Sequence, residues 1–489
     1  MAQRLKVLFI FFKAGSYFVA PLAPMIISAV AQKEGCETSL CQLDKEDLLE
    51  RITNEKPDII AYSSSTGEAK HYIKINQIIK EKFPDIFTIV GGPHPTFYPD
   101  LLKETTLDAI CVGEGEGAVV DLIDRFSSSK SIQGIPNILV RGETNPNVRN
   151  LIDDLDSLPF PDYSLFYDNT EMGKSALKSF MTSRGCPYNC SYCFNARWNE
   201  IYRGCGKIVR KHSVDWVIED ITRVKEKWPL STVKFYDDIF VYHADNWLEE
   251  FSQKYKKYIN LPFFILTRCN LLTEDIVKLL KYAGCRTISM SIEAGNPQIR
   301  NEMLNRRMSN EQIIAAHQLC QKYDIHTFTN CIIGLPGASI ENDLESVDLA
   351  IKCGVNWAEF PIFCPYPGTK LGDQTISMGM YTPDYKQMRI SYMYRSLLSC
   401  FSEKEKDIQL NIGALGSVAV TFPKLRNLLM RHLIYWRPNH FFTLIYYFTK
   451  MYIIRRKIYV TKTNFWQSFL IYLRALKQEL FRRSEEKTQ

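Results

Sequence analysis

Short apolar runs alternate with amphipathic stretches from the first residues of this chain. KVLFIFF (6–12) is almost continuously apolar, the pattern of a strand buried on both faces of a parallel sheet. A helical pattern follows in APLAPMIISAVAQKEG (20–35). Next come a strand-like PDIIAYSSS (57–65), a helix through HYIKINQIIKEKF (71–83), and strand-like FTIVGG (87–92) and LDAICVGEGE (107–116). Strands separated by helical periods predict a doubly wound, Rossmann-like (flavodoxin-like) α/β unit over residues 1–145. LIDDLDSLPFPDYSL (151–165) is rich in Pro and Asp and reads as part of a linker over 146–170. A second alternating series then runs through KSFMTSRG, TVKFYDDIF, FFILTRCN, TISMSIEAG, HTFTNCIIGLPG and WAEFPIFCPYPGT. Six such βα units over 171–375 predict a partial (β/α)6 barrel of TIM type, with polar chemistry at the carboxyl ends of its strands. The alternation stops near residue 376, and 376–489 read as a helical C-terminal region.

Composition adds little until it is resolved along the chain. The 46% hydrophobic and 23% charged content is ordinary for a globular protein. MAQRLKVLFIFF lacks the long apolar run and cleavage site of a secretory signal, and 14 scattered cysteines read as reduced thiols, so a cytoplasmic location is expected. The net charge of +6 is unevenly placed: 421–489 carry fourteen Lys or Arg against three Glu, a local +11. FFTLIYYFTKMYII (441–454) is interrupted by Lys450 and is shorter than the ~20 residues that span a bilayer. A basic, aromatic-rich helix suits peripheral contact with an anionic membrane; the alternative is a helical cap on the barrel. Nucleic-acid binding fits the charge but has no recognised fold here.

The densest chemistry lies in MTSRGCPYNCSYCFN (181–195), where Cys186, Cys190 and Cys193 are spaced Cys-x3-Cys-x2-Cys. Thiolates are the soft ligands that iron–sulfur clusters take. Three local cysteines serve three irons of a [4Fe–4S] cluster and leave the fourth open to a substrate or cofactor. A zinc ribbon would need paired Cys-x2-Cys knuckles, and no second pair follows; Cys205, between two glycines, reads as a turn.

This spacing strongly resembles the radical S-adenosylmethionine superfamily. The resemblance implies that the open iron chelates S-adenosylmethionine, which one electron cleaves to a 5′-deoxyadenosyl radical. It further implies that Asp237 and Asp238 bind the cofactor's ammonium, although either could cap the next helix. Arg268 would meet the cofactor's carboxylate or pair with Asp238. Ser291 and Glu293 would hydrogen-bond the ribose, Ile333 and Gly334 would form the adenine turn, and Tyr192 and Phe194 would pack near adenine and cluster. PYPGT (365–369) resembles the segment that closes such barrels. Cys331 and Cys364 read as inert buried thiols.

The glycine loops VGGPHPTFYPD and VGEGEGAV, with FVAPLAPMIISAVAQKEG before them, resemble the cobalamin-binding domain of one large radical S-adenosylmethionine subfamily. That resemblance extends to about residue 375 and assigns Ser64, Ser65, Gly91, Gly92 and Glu114 to the cobalamin edge. FFKAGSYFVAP (11–21) lacks the Asp-x-His-x-x-Gly by which many cobalamin domains ligate cobalt, so no protein imidazole is expected beneath it; His71 and His94 read as helix-surface and loop residues. The implied activity is methylation of an unactivated carbon on a hydrophobic or natural-product substrate, with a flavodoxin or ferredoxin as electron donor. The alternatives are an oxidative cyclase or ring-rearranging enzyme, a tRNA methylthiotransferase, and a non-catalytic cobalamin-binding protein. Cys36, Cys41 and Cys111 are too unevenly placed for the extra cluster of a tRNA methylthiotransferase.

Overall fold

The computed structural model describes residues 4–12, 20–144, 147–388 and 394–459. The first sheet contains β1 (Lys6–Phe11), β2 (Glu37–Gln42), β3 (Ile59–Ser63), β4 (Phe87–Gly91), β5 (Ala109–Cys111) and β6 (Ile138–Val140), in the order β2-β1-β3-β4-β5-β6. The first five are parallel, and β6 runs antiparallel along β5. Alternation along β1 sends Val7 and Phe9 into one core with the helices Leu22–Lys33 and Glu116–Ser127. Leu8 and Ile10 face the opposite core with Tyr72 and Ile79 of the helix Ala69–Lys82. Burial on both faces is why β1 reads as a continuous apolar run.

The joining segment is packed rather than loose. Leu151, Leu155, Tyr163 and Phe166 are buried. Asp162 caps the short helix Tyr163–Tyr167 by accepting from Leu165 N, and its other oxygen accepts from Ser28 and Gln32 of the helix Leu22–Lys33.

In the second unit, β7 (Leu177–Phe180) leads to a two-stranded ribbon of β8 (Ser183–Arg184) and β9 (Arg210–Lys211). Strands β10 (Thr232–Phe235), β11 (Phe263–Thr267), β12 (Cys285–Met290), β13 (His326–Asn330) and β14 (Trp357–Glu359) complete a parallel sheet with the order β14-β13-β12-β11-β10-β7. Neither edge strand pairs with the other, so the barrel is partial. Val233 and Phe235 pack outward, Phe235 against Phe240, Phe251 and Tyr255. Lys234, between them, is in register with Ser179 and Phe264, and its amine donates to Tyr236 Oη at 2.8 Å.

Helix Glu403–Thr421 lies across the β14 side of the barrel, with Gly416 against the Phe360 ring: an added Cβ would come within 3.0 Å. Helix His440–Ile453 follows, setting Tyr446 against Trp357 with the rings tilted (5.8 Å between centroids) and pairing Lys450 with Glu359 at 2.7 Å. Among the described residues no helix is long and apolar enough to cross a membrane.

Candidate active site

The cysteine loop lies between β8 and the helix Phe194–Ile201, beyond the carboxyl end of β7. Cys186 and Cys190 are buried, Cys193 is half-buried, and none is in a disulfide. Burial pushes the Cys186 thiol up to about 11 and that of Cys193 to about 12, so a metal must displace protons to bind them. Arg268 Nη1 donates toward Cys190 Sγ at 3.4 Å, and its guanidinium stacks 3.7 Å from the Tyr188 ring centroid. Among the described residues no three Cys, His, Asp or Glu side chains converge on a single metal ion. A cluster does not require that, because each thiolate ligates a different iron. Three thiols on one loop, with a cation at the edge, fit a cluster and not a mononuclear zinc site.

Around this loop the structure sorts the anticipated residues. Asp237 is fully buried, and its Oδ1 accepts from Thr182 N, Thr182 Oγ1 and Ser183 Oγ, which ties β10 to the end of β7. Asp238 is exposed to solvent; partial desolvation raises its carboxyl, while Asn195 donates to it at 3.0 Å. The anticipated Arg268–Asp238 pair does not form. Instead Arg268 Nη2 donates to the Arg306 carbonyl at 2.6 Å and Nε to Asn270. Tyr192 donates to Glu293 Oε1 at 2.8 Å, and the Ser291 carbonyl accepts from Arg306 at 2.7 Å. Glu293 holds a left-handed backbone (φ 68°), a strained state for a non-glycine residue. Phe194 is exposed. Ile333 is buried and bridges to Ile362, and Gly334 donates its N–H to Asp343 Oδ1 at 3.0 Å.

Asp343 supplies a pH test. Burial raises its carboxyl to about 8, so the folded state keeps a proton that the unfolded chain releases near pH 4. Its stabilising contribution is complete below the unfolded value and is lost as pH rises toward the folded value. Asp343→Asn, which mimics the neutral acid, should flatten the decline in thermal stability between about pH 4 and 8. An unchanged pH profile would show that Asp343 ionises normally.

At the edge of the first sheet, the glycines face protein. Gly92 has φ 99°, and an added Cβ would lie 2.9 Å from both Ser64 N and Ser64 O; at Gly91 the nearest atom is Cys111 Cβ at 3.6 Å. Close approach of Ser64, not an outside ligand, therefore requires Gly92. Gly92→Ala should cost on the order of 2 kcal/mol in the cofactor-free protein. Unaltered thermal unfolding of that variant would return the glycine to ligand clearance alone. Ser64 is buried, and Ser65 donates through N and Oγ to Glu68. Beneath Ser64, Tyr62 and Tyr72 leave a cavity of about 10 Å³, too small for more than a water-sized group.

Glu114 departs furthest from expectation. It is buried, and it accepts from Arg210 Nη2 at 2.8 Å, from Arg184 at 3.2 Å and from Ile152 N at 3.3 Å. Arg184 also pairs with Glu116 at 2.6 Å. Despite burial, the two arginines hold the Glu114 carboxyl below its usual range. Beside this network Tyr202, directly after the helix Phe194–Ile201, is fully buried, and its hydroxyl accepts from Glu114 N at 2.9 Å and Asn137 Nδ2 at 3.0 Å. A Cβ at Gly113 would fall 1.9 Å from that hydroxyl, which explains a glycine there. One loop further, the Phe97 ring lies 5.7 Å from the Phe194 ring, and the Phe97 carbonyl meets Gly368 of PYPGT. The carboxyl edge of the first sheet thus abuts the cysteine loop and the barrel's closing segment.

Arg184, Arg210, Tyr202, Asn195 and Arg306 escape sequence reasoning because their partners are distant in sequence. Two glutamates in an otherwise apolar strand end, with an arginine two residues before the first cysteine, were the available signal.

The Radical SAM superfamily model matches residues 180–350, and the B12 binding domain model matches 13–123. The chain therefore belongs to the radical S-adenosylmethionine enzymes that carry a B12-binding domain. An uncharacterized methyltransferase, PH0819 of Pyrococcus horikoshii, is 29% identical over 344 residues, covering 68% of this chain and 72% of that protein. The anaerobic magnesium-protoporphyrin IX monomethyl ester cyclase of Rubrivivax gelatinosus is 28% identical over 345 residues, 67% of this chain and 60% of that one. The structure of the cobalamin-dependent S-adenosylmethionine radical enzyme OxsB with aqua-cobalamin bound superposes with a TM-score of 0.67 at 16% identity, covering 99% of this chain and 81% of that chain. At that identity it establishes the fold.

Proposed function

We propose that this chain is a cobalamin-dependent C-methyltransferase that acts on an unactivated carbon of a hydrophobic substrate. The observation that carries the reading is the direct junction between the cysteine loop and the B12-binding sheet edge, with Phe97 against Phe194 and Tyr202 in the β5 loop. When bound, the cluster and S-adenosylmethionine supply hydrogen abstraction, and cobalamin supplies the methyl group. Cys186, Cys190 and Cys193 hold three irons. Arg268 offsets the cluster's negative charge at Cys190, and its stack on Tyr188 fixes the guanidinium. Asp238 receives the cofactor's ammonium, with Asn195 orienting the carboxylate. Tyr192, Glu293 and Ser291 line the ribose side, and Ile333 and Gly334 the adenine side. Asp237 serves as a positioning residue. Ser64 and Ser65 border the corrin, whereas Gly91, Gly92 and Glu114 shape the edge without touching it. A small reduced flavodoxin or ferredoxin delivers the electron. We place the enzyme in the cytoplasm, in peripheral contact with the membrane through its C-terminal region.

The likeness to the cyclase supports one rival, oxidative ring formation. Isotope labelling separates the two. With methyl-labelled S-adenosylmethionine and a lysate of the native host, methyl transfer puts the label on a new product and yields both deoxyadenosine and S-adenosylhomocysteine. Deoxyadenosine without labelled product or S-adenosylhomocysteine would favour the cyclase.

A further inference from the structure

We propose that the outer face of the C-terminal helices, between Phe422 and Arg456, is a docking surface for an anionic lipid bilayer. The proposal specifies the peripheral contact stated above and rests on that reading, but not on the chemistry of the barrel.

Large hydrophobic side chains that remain exposed are concentrated here. Of fourteen among the described residues, eight lie between Phe422 and Tyr452. A soluble surface tolerates scattered apolar groups, but such a concentration marks a contact. The helix His440–Ile453 shows how it is built. Phe442, Tyr446, Thr449 and Ile453 are buried and account for its packing on the barrel. Phe441, Phe448 and Tyr452, spaced by seven and four residues, form a second stripe that is 64%, 51% and 47% exposed. That stripe runs roughly 16 Å along the helix. Just before it Trp436 is 60% exposed, yet its backbone is fixed: Asn411 Nδ2, in the buried helix Glu403–Thr421, donates to the Trp436 carbonyl at 2.7 Å and the Ile434 carbonyl at 2.9 Å. The aromatic groups are held out by a rigid scaffold.

Charge selects the partner. Residues 421–459 contain eight Lys or Arg and no Asp or Glu. Arg426 pairs with Asp348 at 2.7 Å and Lys450 with Glu359, while Lys424, Arg431, Arg437 and Arg456 are exposed, Arg456 lying over the Tyr452 ring at 4.5 Å. Tryptophan and tyrosine at a boundary, flanked by cations whose stems can lie along apolar surface, match the headgroup region of a bilayer. Anionic headgroups complement the cations. Because no described helix can span, the contact is interfacial.

The experiment uses the full chain with its cluster reconstituted, and sedimentation with vesicles of phosphatidylcholine alone or mixed with phosphatidylglycerol. Binding should require phosphatidylglycerol and weaken as salt rises. Phe441→Ser/Phe448→Ser/Tyr452→Ser, at exposed positions, should lower vesicle affinity about tenfold or more with deoxyadenosine formation unchanged. Arg437→Glu/Arg456→Glu provides a second variant should the first not fold. A chain ending at residue 459 tests residues 460–489, which lie outside the described residues. The proposal is overturned if wild type ignores both vesicles, binds both equally, or binds RNA instead. It is also overturned if either surface variant sediments like wild type, or if the shortened chain loses all binding. None of these outcomes alters deoxyadenosine formation, so the catalytic reading stands or falls separately.

Discussion

Cys190→Ala protein, reconstituted anaerobically, should bind little iron and make no deoxyadenosine above background, a loss of at least about a thousandfold, because the cluster's electron is the only route to cleavage. Each cysteine serves one iron, so Cys186→Ala and Cys193→Ala should behave alike. The fold should survive. The loop is anchored independently of metal by the Ser191 hydroxyl on the Met303 carbonyl, by Asn305 Nδ2 on the Asn189 carbonyl at 2.8 Å, and by Asn199 on the Cys186 carbonyl at 3.0 Å. Arg268 loses its sulfur partner at Cys190 but keeps the Arg306 carbonyl and Asn270. Circular dichroism of the variant should therefore match wild type. Normal deoxyadenosine yield from Cys190→Ala would remove the cluster from this site.

The second large effect is expected at Glu114. Its carboxylate neutralises Arg210, whose side chain is only 1% exposed, and shares Arg184 with Glu116. Removing the acid by Glu114→Ala leaves a guanidinium buried with its charge uncompensated, a cost of about 3–5 kcal/mol. The loss should fall on the junction between the two sheets, since the network draws in Ile152 of the joining segment and the β5 loop. Proteolysis near Ile152 should speed up, and methyl transfer should fall further than deoxyadenosine formation. A double substitution, Glu114→Leu/Arg210→Met, should recover most of the lost stability, because replacing both partners of a buried pair with apolar groups is often neutral. The pH dependence follows from the depressed Glu114 carboxyl. Its contribution is present above the unfolded value near 4.3 and is lost as pH falls through the folded value. If Glu114 touched only the corrin, the cofactor-free variant would unfold like wild type.

The sequence exposed most of the strand order because buried parallel strands are written as apolar runs: β1, β3, β4 and β5, and four strands of the barrel sheet, lie within the anticipated stretches, while β7 and β12 begin one and two residues before theirs. Strands β2 and β6 did not stand out. ETSLCQ mixes polar and apolar positions because only its second half is buried, and β6 is a three-residue antiparallel edge. LIDDLDSLPFPDYSL looked like a linker because Asp and Pro dominate it, yet Asp162 serves as a helix cap and Leu155 is fully buried. At the site, the cysteine spacing was local and therefore legible. The partners of Glu114 and Arg268 were not, since tertiary contacts join them to residues dozens of positions away. Gly92 was expected to make room for the corrin, whereas the atoms that crowd a side chain there belong to Ser64.

The central claim is that one chain holds a cluster and cobalamin across the junction described above. Electron paramagnetic resonance of the fully reconstituted protein addresses it most directly. The account predicts that cob(II)alamin stays with the protein through gel filtration and shows no nitrogen superhyperfine splitting from a lower axial ligand. It also predicts that the cobalt signal relaxes faster once the cluster is reduced. Cobalamin lost on gel filtration, or a cobalt signal indifferent to the redox state of the cluster, would contradict it.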